Sequence, residues 1–293
     1  MIAILGLTWG ATFLFIEIAL RGITPFWLAA SRIGFGAILT VAAWRHLGGR
    51  LFAAVPTTGQ RINLAVIGAL SSAVPFMLLA WGQQYVSSGF AGVSMASAAL
   101  IVLPLAHFLV PGERLTRRRA LGFMIGFGGV VMLIGAQAFE STGAALELPG
   151  RVACVAAAGC YALSSVLMRR LPVVDPVGLS AVLLLIGAGL VIPAAWIVEG
   201  PPPLPDAGTL WVLAFLGLVP TAAANLLRVV VVRSAGPVFM SLVNYQVPLW
   251  SVLLGVWLLG EALPPSLIWA AVLILAGVAI GQYGALRRLF AGG

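Results

Sequence analysis

Three residues able to make polar contacts stand in a row midway along one long apolar run: Asn244, Tyr245 and Gln246, with Pro248 two positions on. Side-chain amides both donate and accept hydrogen bonds, and a phenol adds an aromatic face with a polar tip. A proline inside a helix removes a backbone donor and frees a carbonyl one turn earlier, here near Asn244. Freed carbonyls and amides at the middle of an apolar helix suit an amino or hydroxyl group on a small molecule. The plainer alternative is that Asn244 and Gln246 bond to neighbouring helices. Three consecutive residues cannot all face one helix interface, which favours the binding reading over simple bonding between helices.

Other polar groups lie at comparable depth in neighbouring runs. Ser71, Ser72 and Pro75 sit near the middle of one run, and Pro220, Thr221 and Asn225 occupy another. Ser94, Met95 and Ser97 are small and pliable, as a cavity wall or a close helix contact requires. Trp9 and Thr12, with Tyr161 and Ser164, offer aromatic faces that suit stacking on an aromatic or cationic molecule, or equally the packing of a helix crossing. Trp81 and Tyr85 read as interfacial anchors, with Gln83 and Gln84 beside them. Glu17 and Arg32 are the charges inside apolar runs. They are placed to pair across a short hairpin, and a structural ion pair, or Arg32 reaching for the interface, is weighed against a coupling role. His107 reads as a packed imidazole rather than a proton carrier.

The elements that position these groups follow from composition. Apolar residues make up 61% of 293 and charged residues 8%, which no water-soluble domain could bury. A helix needs about 20 residues to cross the hydrocarbon core. Splitting the chain at charges, prolines and glycine clusters gives ten spans: 2–20, 25–44, 62–82, 88–110, 119–138, 150–168, 176–198, 208–227, 234–259 and 265–286. The first lacks a basic leader and contains Glu17, so it is expected to be a retained helix rather than a cleaved signal. Cys154 and Cys160 lie on different faces of one helix and read as packing thiols. Net charge is +8, and every basic residue is Arg. Alternate loops and the C-terminus hold Arg45, Arg50, Arg61, Arg114, Arg117, Arg118, Arg119, Arg169, Arg170, Arg228, Arg233, Arg287 and Arg288; the opposite loops hold Arg21 and Arg151. Basic loops resist translocation, which places both termini in the cytoplasm and Glu140, Glu147, Glu199, Asp206 and Glu261 outside.

The chain also repeats itself. Gly112-Glu113 and Gly260-Glu261 each close an apolar run and precede another with close-packing glycines, Gly122 and Gly126 in one and Gly277 and Gly281 in the other. Five spans per half is odd, so the second half must enter from the opposite side. The fold class expected is therefore all-α and polytopic, ten transmembrane helices as two inverted five-helix repeats, 1–138 and 149–288. Prolines in matching spans, Pro75 and Pro220, are the best sequence pointer to a site in such a molecule.

Trp9-Gly10-x-Thr12-Phe13, Pro25 followed by Arg32, and the duplicated Gly-Glu together resemble the drug/metabolite transporter superfamily, and within it the EamA-type ten-span exporters. The YddG-like bacterial amino-acid exporters are among these. The resemblance covers nearly the whole chain but departs at Cys160-Tyr161, where a second Trp-Gly would stand. It implies a multi-pass exporter of small metabolites in the bacterial inner membrane.

Competing function classes lack their chemistry. With no Lys anywhere, a Gly-x-x-x-x-Gly-Lys nucleotide loop is impossible, so no ATP binding is expected of this chain. His46 and His107 are the two histidines, and no Asp lies within a span, so Ser–His, paired-Asp and His-rich metal sets are missing; no enzyme activity, cofactor or metal is expected. A lipid carrier would line a lateral opening with Arg, and a channel sits poorly with two repeats. Nucleic acid is not an expected partner; a small-molecule substrate and the bilayer are, with a monomer expected and a dimer open. The substrate-binding set is Asn244, Tyr245, Gln246, Ser72, Thr221, Trp9, Tyr161 and Ser94, with Glu17 and Arg32 as the ion pair or coupling pair. Few charges and many Trp, Tyr, Ser, Asn and Gln suit a neutral or zwitterionic metabolite. Amino acids come first by resemblance, aromatic or hydrophobic ones among them; cationic drugs or purines are the alternative. Transport is expected to be facilitated or only weakly proton-linked.

Overall fold

Long apolar runs in a bilayer satisfy their backbone groups internally, and helices do so within one segment. A computed structural model of the protein describes residues 1–52, 55–109, 116–135, 146–168, 171–172, 174–227 and 243–290, and they are almost wholly helical. The helices are α1 (Ile2–Ala19), α2 (Pro25–His46), α3 (Thr58–Gly82), α4 (Ser88–Leu109), α5 (Arg117–Gly135), α6 (Glu147–Met168), α7 (Pro176–Glu199), α8 (Ala207–Leu227), α9 (Val243–Leu259) and α10 (Pro265–Phe290). Six of them, α2, α3, α4, α6, α7 and α8, are long and apolar enough to cross a membrane; α1, α9 and α10 contain shorter apolar stretches. This is the architecture of a multi-pass membrane protein. Glu113, Arg114, Glu140, Arg169, Arg170, Arg228 and Arg233, used above for repeat and orientation, lie outside the described residues.

Helix starts are capped by side chains, some of them distant. Thr57 and Gln60 form a reciprocal capping box on α3, and Asp175 and Asp206 accept from the backbone of Gly178 and Thr209 at the starts of α7 and α8. Two caps join far-apart helices. Glu199, at the end of α7, accepts from the backbone N–H groups of Phe26 at 2.9 Å and Trp27 at 3.1 Å, where α2 begins with Pro25. Glu261, just past α9, accepts from Ser88 N–H at 2.7 Å and Gly89 N–H at 3.1 Å at the start of α4. Gly260 turns the chain there with φ of +66°, a conformation suited to glycine. A carboxylate on the positive end of a helix is stabilising, and more so away from water.

Packing follows a regular scheme. α2 lies on α7, α4 on α9 and α5 on α10; α4 packs on α6 and α9 on α1; α2 packs on α8 and α7 on α3. The α5–α10 crossing brings backbones together: a Cβ on Gly122 would meet the Gly277 carbonyl at 2.5 Å, and one on Gly277 the Gly122 carbonyl at 2.5 Å. Small residues permit such approach where lipid supplies no hydrophobic drive between helices. The buried side chains form two main clusters, one containing Phe90, Leu100 and Ile274 and the other Leu28, Ile33 and Leu216, and Tyr161 packs against both.

Candidate functional site

Among the described residues two helices depart from regular α geometry, and prolines account for it. α3 widens into a π turn over Ala69–Ala73 just before Pro75, and α8 does so over Gly217–Ala223 around Pro220. A proline cannot donate to the carbonyl four residues back and its ring presses on that carbonyl, so the helix widens. In α8 the carbonyl concerned is Leu216, and the Thr221 hydroxyl donates to it at 2.8 Å.

Thr221 is also the link to the most unusual side chain in the bundle. Its oxygen accepts from Arg32 Nε at 2.7 Å, and both residues are buried. Arg32 is 6% exposed; its guanidinium carbon lies 4.0 Å above the centre of the Phe76 ring, a cation–π contact from α2 to α3. The Tyr161 phenol on α6 is close enough to Arg32 to interact with it electrostatically. Trp9 on α1 closes the group by donating from its indole nitrogen to the Pro220 carbonyl at 3.0 Å. The structure thus brings Trp9, Arg32, Tyr161 and Thr221 together, with Phe76, at the meeting of α1, α2, α3, α6 and α8.

Ser72 does in α3 what Thr221 does in α8. Its hydroxyl faces the carbonyls of Gly68 at 2.8 Å and Leu183 at 3.2 Å. A Cβ on Gly187 of α7 would collide with the Ser72 hydroxyl, and one on Gly36 of α2 would meet the Thr221 methyl at 2.9 Å. Each distorted helix therefore presses a hydroxyl residue onto a glycine of the helix it packs against.

The remaining expected site residues fall as follows. Gln246 is half-buried against α1, where a Cβ on Gly6 would meet its Oε1 at 2.6 Å. Ser94 is buried and donates to the Ala91 carbonyl of its own helix at 2.7 Å. Asn244 and Tyr245 belong to the first turn of α9, and their side chains lie outside the described residues. Glu17 and Arg32 do not form the ion pair expected across the first hairpin. Arg32 turns from α2 towards α3 and α8 to reach Phe76 and Thr221, whereas Glu17 keeps one buried carboxylate oxygen without a partner and has Glu261 and Arg21 in its electrostatic surroundings. Arg151, read from sequence as a loop residue, lies inside α6 and is buried in a salt bridge with Glu147 one turn earlier.

Sequence reasoning missed Phe76 and the burial of Gln83. Gln83 is 2% exposed and donates to the Phe13 carbonyl at 2.9 Å. The usable signal for Phe76 was its position directly after Pro75. Gln83 gave none, because its sequence neighbours Gln84 and Tyr85 read as interfacial.

The model of the EamA-like transporter family matches residues 1–135 and again 148–281. The chain belongs to the EamA-like transporter family. It is 28% identical over 285 residues to the uncharacterized inner membrane transporter YedA of Escherichia coli K12, covering 94% of this chain and 88% of that protein. It is 27% identical over 288 residues to a probable terminal-alkyne amino-acid exporter of Streptantibioticus cattleyicolor, covering 96% of this chain and 92% of that one. A solved crystal structure of a protein 24% identical superposes with a TM-score of 0.68 over 98% of this chain and 96% of the other, a likeness of fold. Relatives in this family are membrane transporters, and this chain is one of them.

Proposed function

We propose that the protein is a secondary exporter of small neutral or zwitterionic metabolites, amino acids foremost, working by alternating access without enzymatic chemistry. Its helices act as two inverted five-helix repeats in the bacterial inner membrane, with both termini in the cytoplasm. The observation that carries this reading is the matched pair of proline-distorted helices. α3 and α8 are widened by π turns at corresponding places, and each seats a hydroxyl residue on a glycine of α7 or α2. Irregular backbone at membrane depth is tolerated where it is buried in protein or lines a cavity, and paired broken helices at a repeat interface are where such transporters bind their cargo. The double family match and the reciprocal helix pairing support the duplication. The name of the Streptantibioticus cattleyicolor relative supports the choice of amino acids.

The substrate is bounded by α3, α4, α8 and α9, with Asn244, Tyr245 and Gln246 along one side and Trp9, Tyr161, Ser72, Ser94 and Thr221 completing the site. The test is uptake by proteoliposomes of a panel of labelled amino acids, purines, sugars and cationic drugs, with and without a pH gradient. Protein-dependent uptake of one or more amino acids is expected. Uptake confined to purines or cationic drugs would replace the substrate class, and Asn244 and Gln246 variants that transport fully would move the site.

A further inference from the structure

Arg32 poses a problem that packing alone does not solve. A guanidinium is protonated at any physiological pH, and a charge taken out of water is costly unless it is paired and hydrogen-bonded. Within membrane spans such charges face the protein interior or a wet cavity and meet a partner there. Arg32 is 6% exposed, about two turns into α2, and no salt bridge to it is found among the described residues. Its described partners are the Thr221 hydroxyl, which takes the Nε–H, and the Phe76 ring under one face. Arg151, the other deeply buried arginine among the described residues, has the Glu147 carboxylate. Arg32 therefore holds a full positive charge, and among the described residues its one hydrogen bond to the protein is made by Nε, which leaves the four N–H bonds of its two Nη groups for another acceptor.

We propose that Arg32 receives the carboxylate of the transported solute, which its two Nη groups hold in a bidentate grip. This rests on the transport reading above and deepens it, assigning the anionic end of a zwitterion to a specific side chain. The geometry suits the task. Thr221 fixes Nε and Phe76 fixes the plane, so the guanidinium is pre-set and presents its edge, the form in which Arg binds carboxylates most strongly. Thr221 is in turn held by the Leu216 carbonyl that Pro220 leaves without a backbone donor, so the distorted helix itself sets the position of the charge. A carboxylate carries one negative charge and neutralises one guanidinium. A phosphate ester, with close to two charges, would call for a second cation, and Arg32 is the arginine this cluster contains. Trp9 and Tyr161 belong to the same cluster of side chains, and their aromatic faces suit the body of the solute.

The test compares phenylalanine, phenylalaninamide and phenethylamine, and likewise leucine and leucinamide, as inhibitors of labelled phenylalanine or leucine counterflow in proteoliposomes. In parallel, thermal stabilisation of the purified protein by acetate and propionate is measured against chloride at equal ionic strength. Wild type is expected to favour each free acid over its amide by about 10- to 100-fold, the effect of losing a charge-assisted hydrogen-bonded contact. Arg32→Gln is expected to erase that preference. Arg32→Lys, which keeps the charge but cannot hold Thr221 and a bidentate carboxylate together, should retain part of it. Carboxylate-specific stabilisation should be present in wild type and absent in Arg32→Gln. Amino acids that are transported without acid-over-amide preference would overturn the role of Arg32 and leave the transport reading standing. Carboxylates that stabilise wild type but not Arg32→Gln, in a protein that moves no amino acid, would uphold the anion site and overturn the transport reading. Preference for phosphate over carboxylates in the stabilisation assay would also overturn the proposal. The wild-type comparison needs no variant, so a poorly folding Arg32→Gln does not block the decision.

Discussion

Thr221→Val is the sharpest probe of how α8 and α2 are joined. The substitution keeps the branched shape and nearly the volume, so the cavity contribution is small, and it removes only the hydroxyl. Two bonds are lost: Arg32 Nε to Thr221 at 2.7 Å, and Thr221 to the Leu216 carbonyl at 2.8 Å. A hydrogen bond to a charged group contributes about 1.5–3 kcal/mol and a neutral one about 0.5–1.5 kcal/mol. Neutral hydrogen bonds between membrane helices run lower, about 0.6 kcal/mol on average. The charged bond therefore dominates, and the total comes to about 2–4 kcal/mol. Ser72→Ala, at the corresponding place in α3, removes only a neutral hydroxyl bonded to carbonyls, so about 1 kcal/mol or less is expected. Reversible unfolding in mixed detergent micelles measures both. A double-mutant cycle of Thr221→Val with Arg32→Met isolates the shared bond, with a coupling of about 1–2 kcal/mol expected. Equal losses for Thr221→Val and Ser72→Ala, together with no coupling in the cycle, would refute the view that Thr221 anchors a buried charge.

Three further outcomes are expected. Gly277→Ala places a Cβ at 2.5 Å from the Gly122 carbonyl, a backbone atom that cannot yield cheaply, whereas Gly34→Ala meets nothing within 4 Å; the first should lower the unfolding midpoint markedly and the second leave it nearly unchanged, and equal effects would contradict the close α5–α10 crossing. Glu17→Gln, isosteric with the protonated acid, is expected to preserve folding and substrate exchange if transport is facilitated; exchange kept but accumulation under a pH gradient lost would make Glu17 the proton carrier. A single cysteine at Asp206, in a background without Cys154 and Cys160, should react with an impermeant maleimide added to intact cells, and labelling only after permeabilisation would reverse the orientation.

The helices were legible because an apolar run bounded by Pro, Gly and Arg has one stable form in lipid. α2, α7 and α8 begin at Pro25, Pro176 and just after Asp206, close to where the sequence breaks suggest. The distortions of α3 and α8 were also foreshadowed, since Pro75 and Pro220 cannot sit in a regular helix without cost. The direction of Arg32 was not legible. Glu17 and Arg32 are near in sequence and opposite in charge, which favours a local pair on paper. The choice of Thr221 and Phe76 instead depends on which face of α2 meets α8, a matter of tertiary packing between residues 189 positions apart. The caps made by Glu199 and Glu261 were hidden for the same reason. Each carboxylate ends one helix and serves the start of another more than 170 residues away, and nothing local marks the partner.

Counterflow tests the central claim most directly. Proteoliposomes loaded with an unlabelled amino acid and diluted into a trace of the same labelled amino acid should show a transient internal excess of label, because a carrier that alternates between two faces exchanges bound solute one for one. Label that rises only monotonically to equilibrium would indicate a channel, and no protein-dependent label for any amino acid would contradict the account.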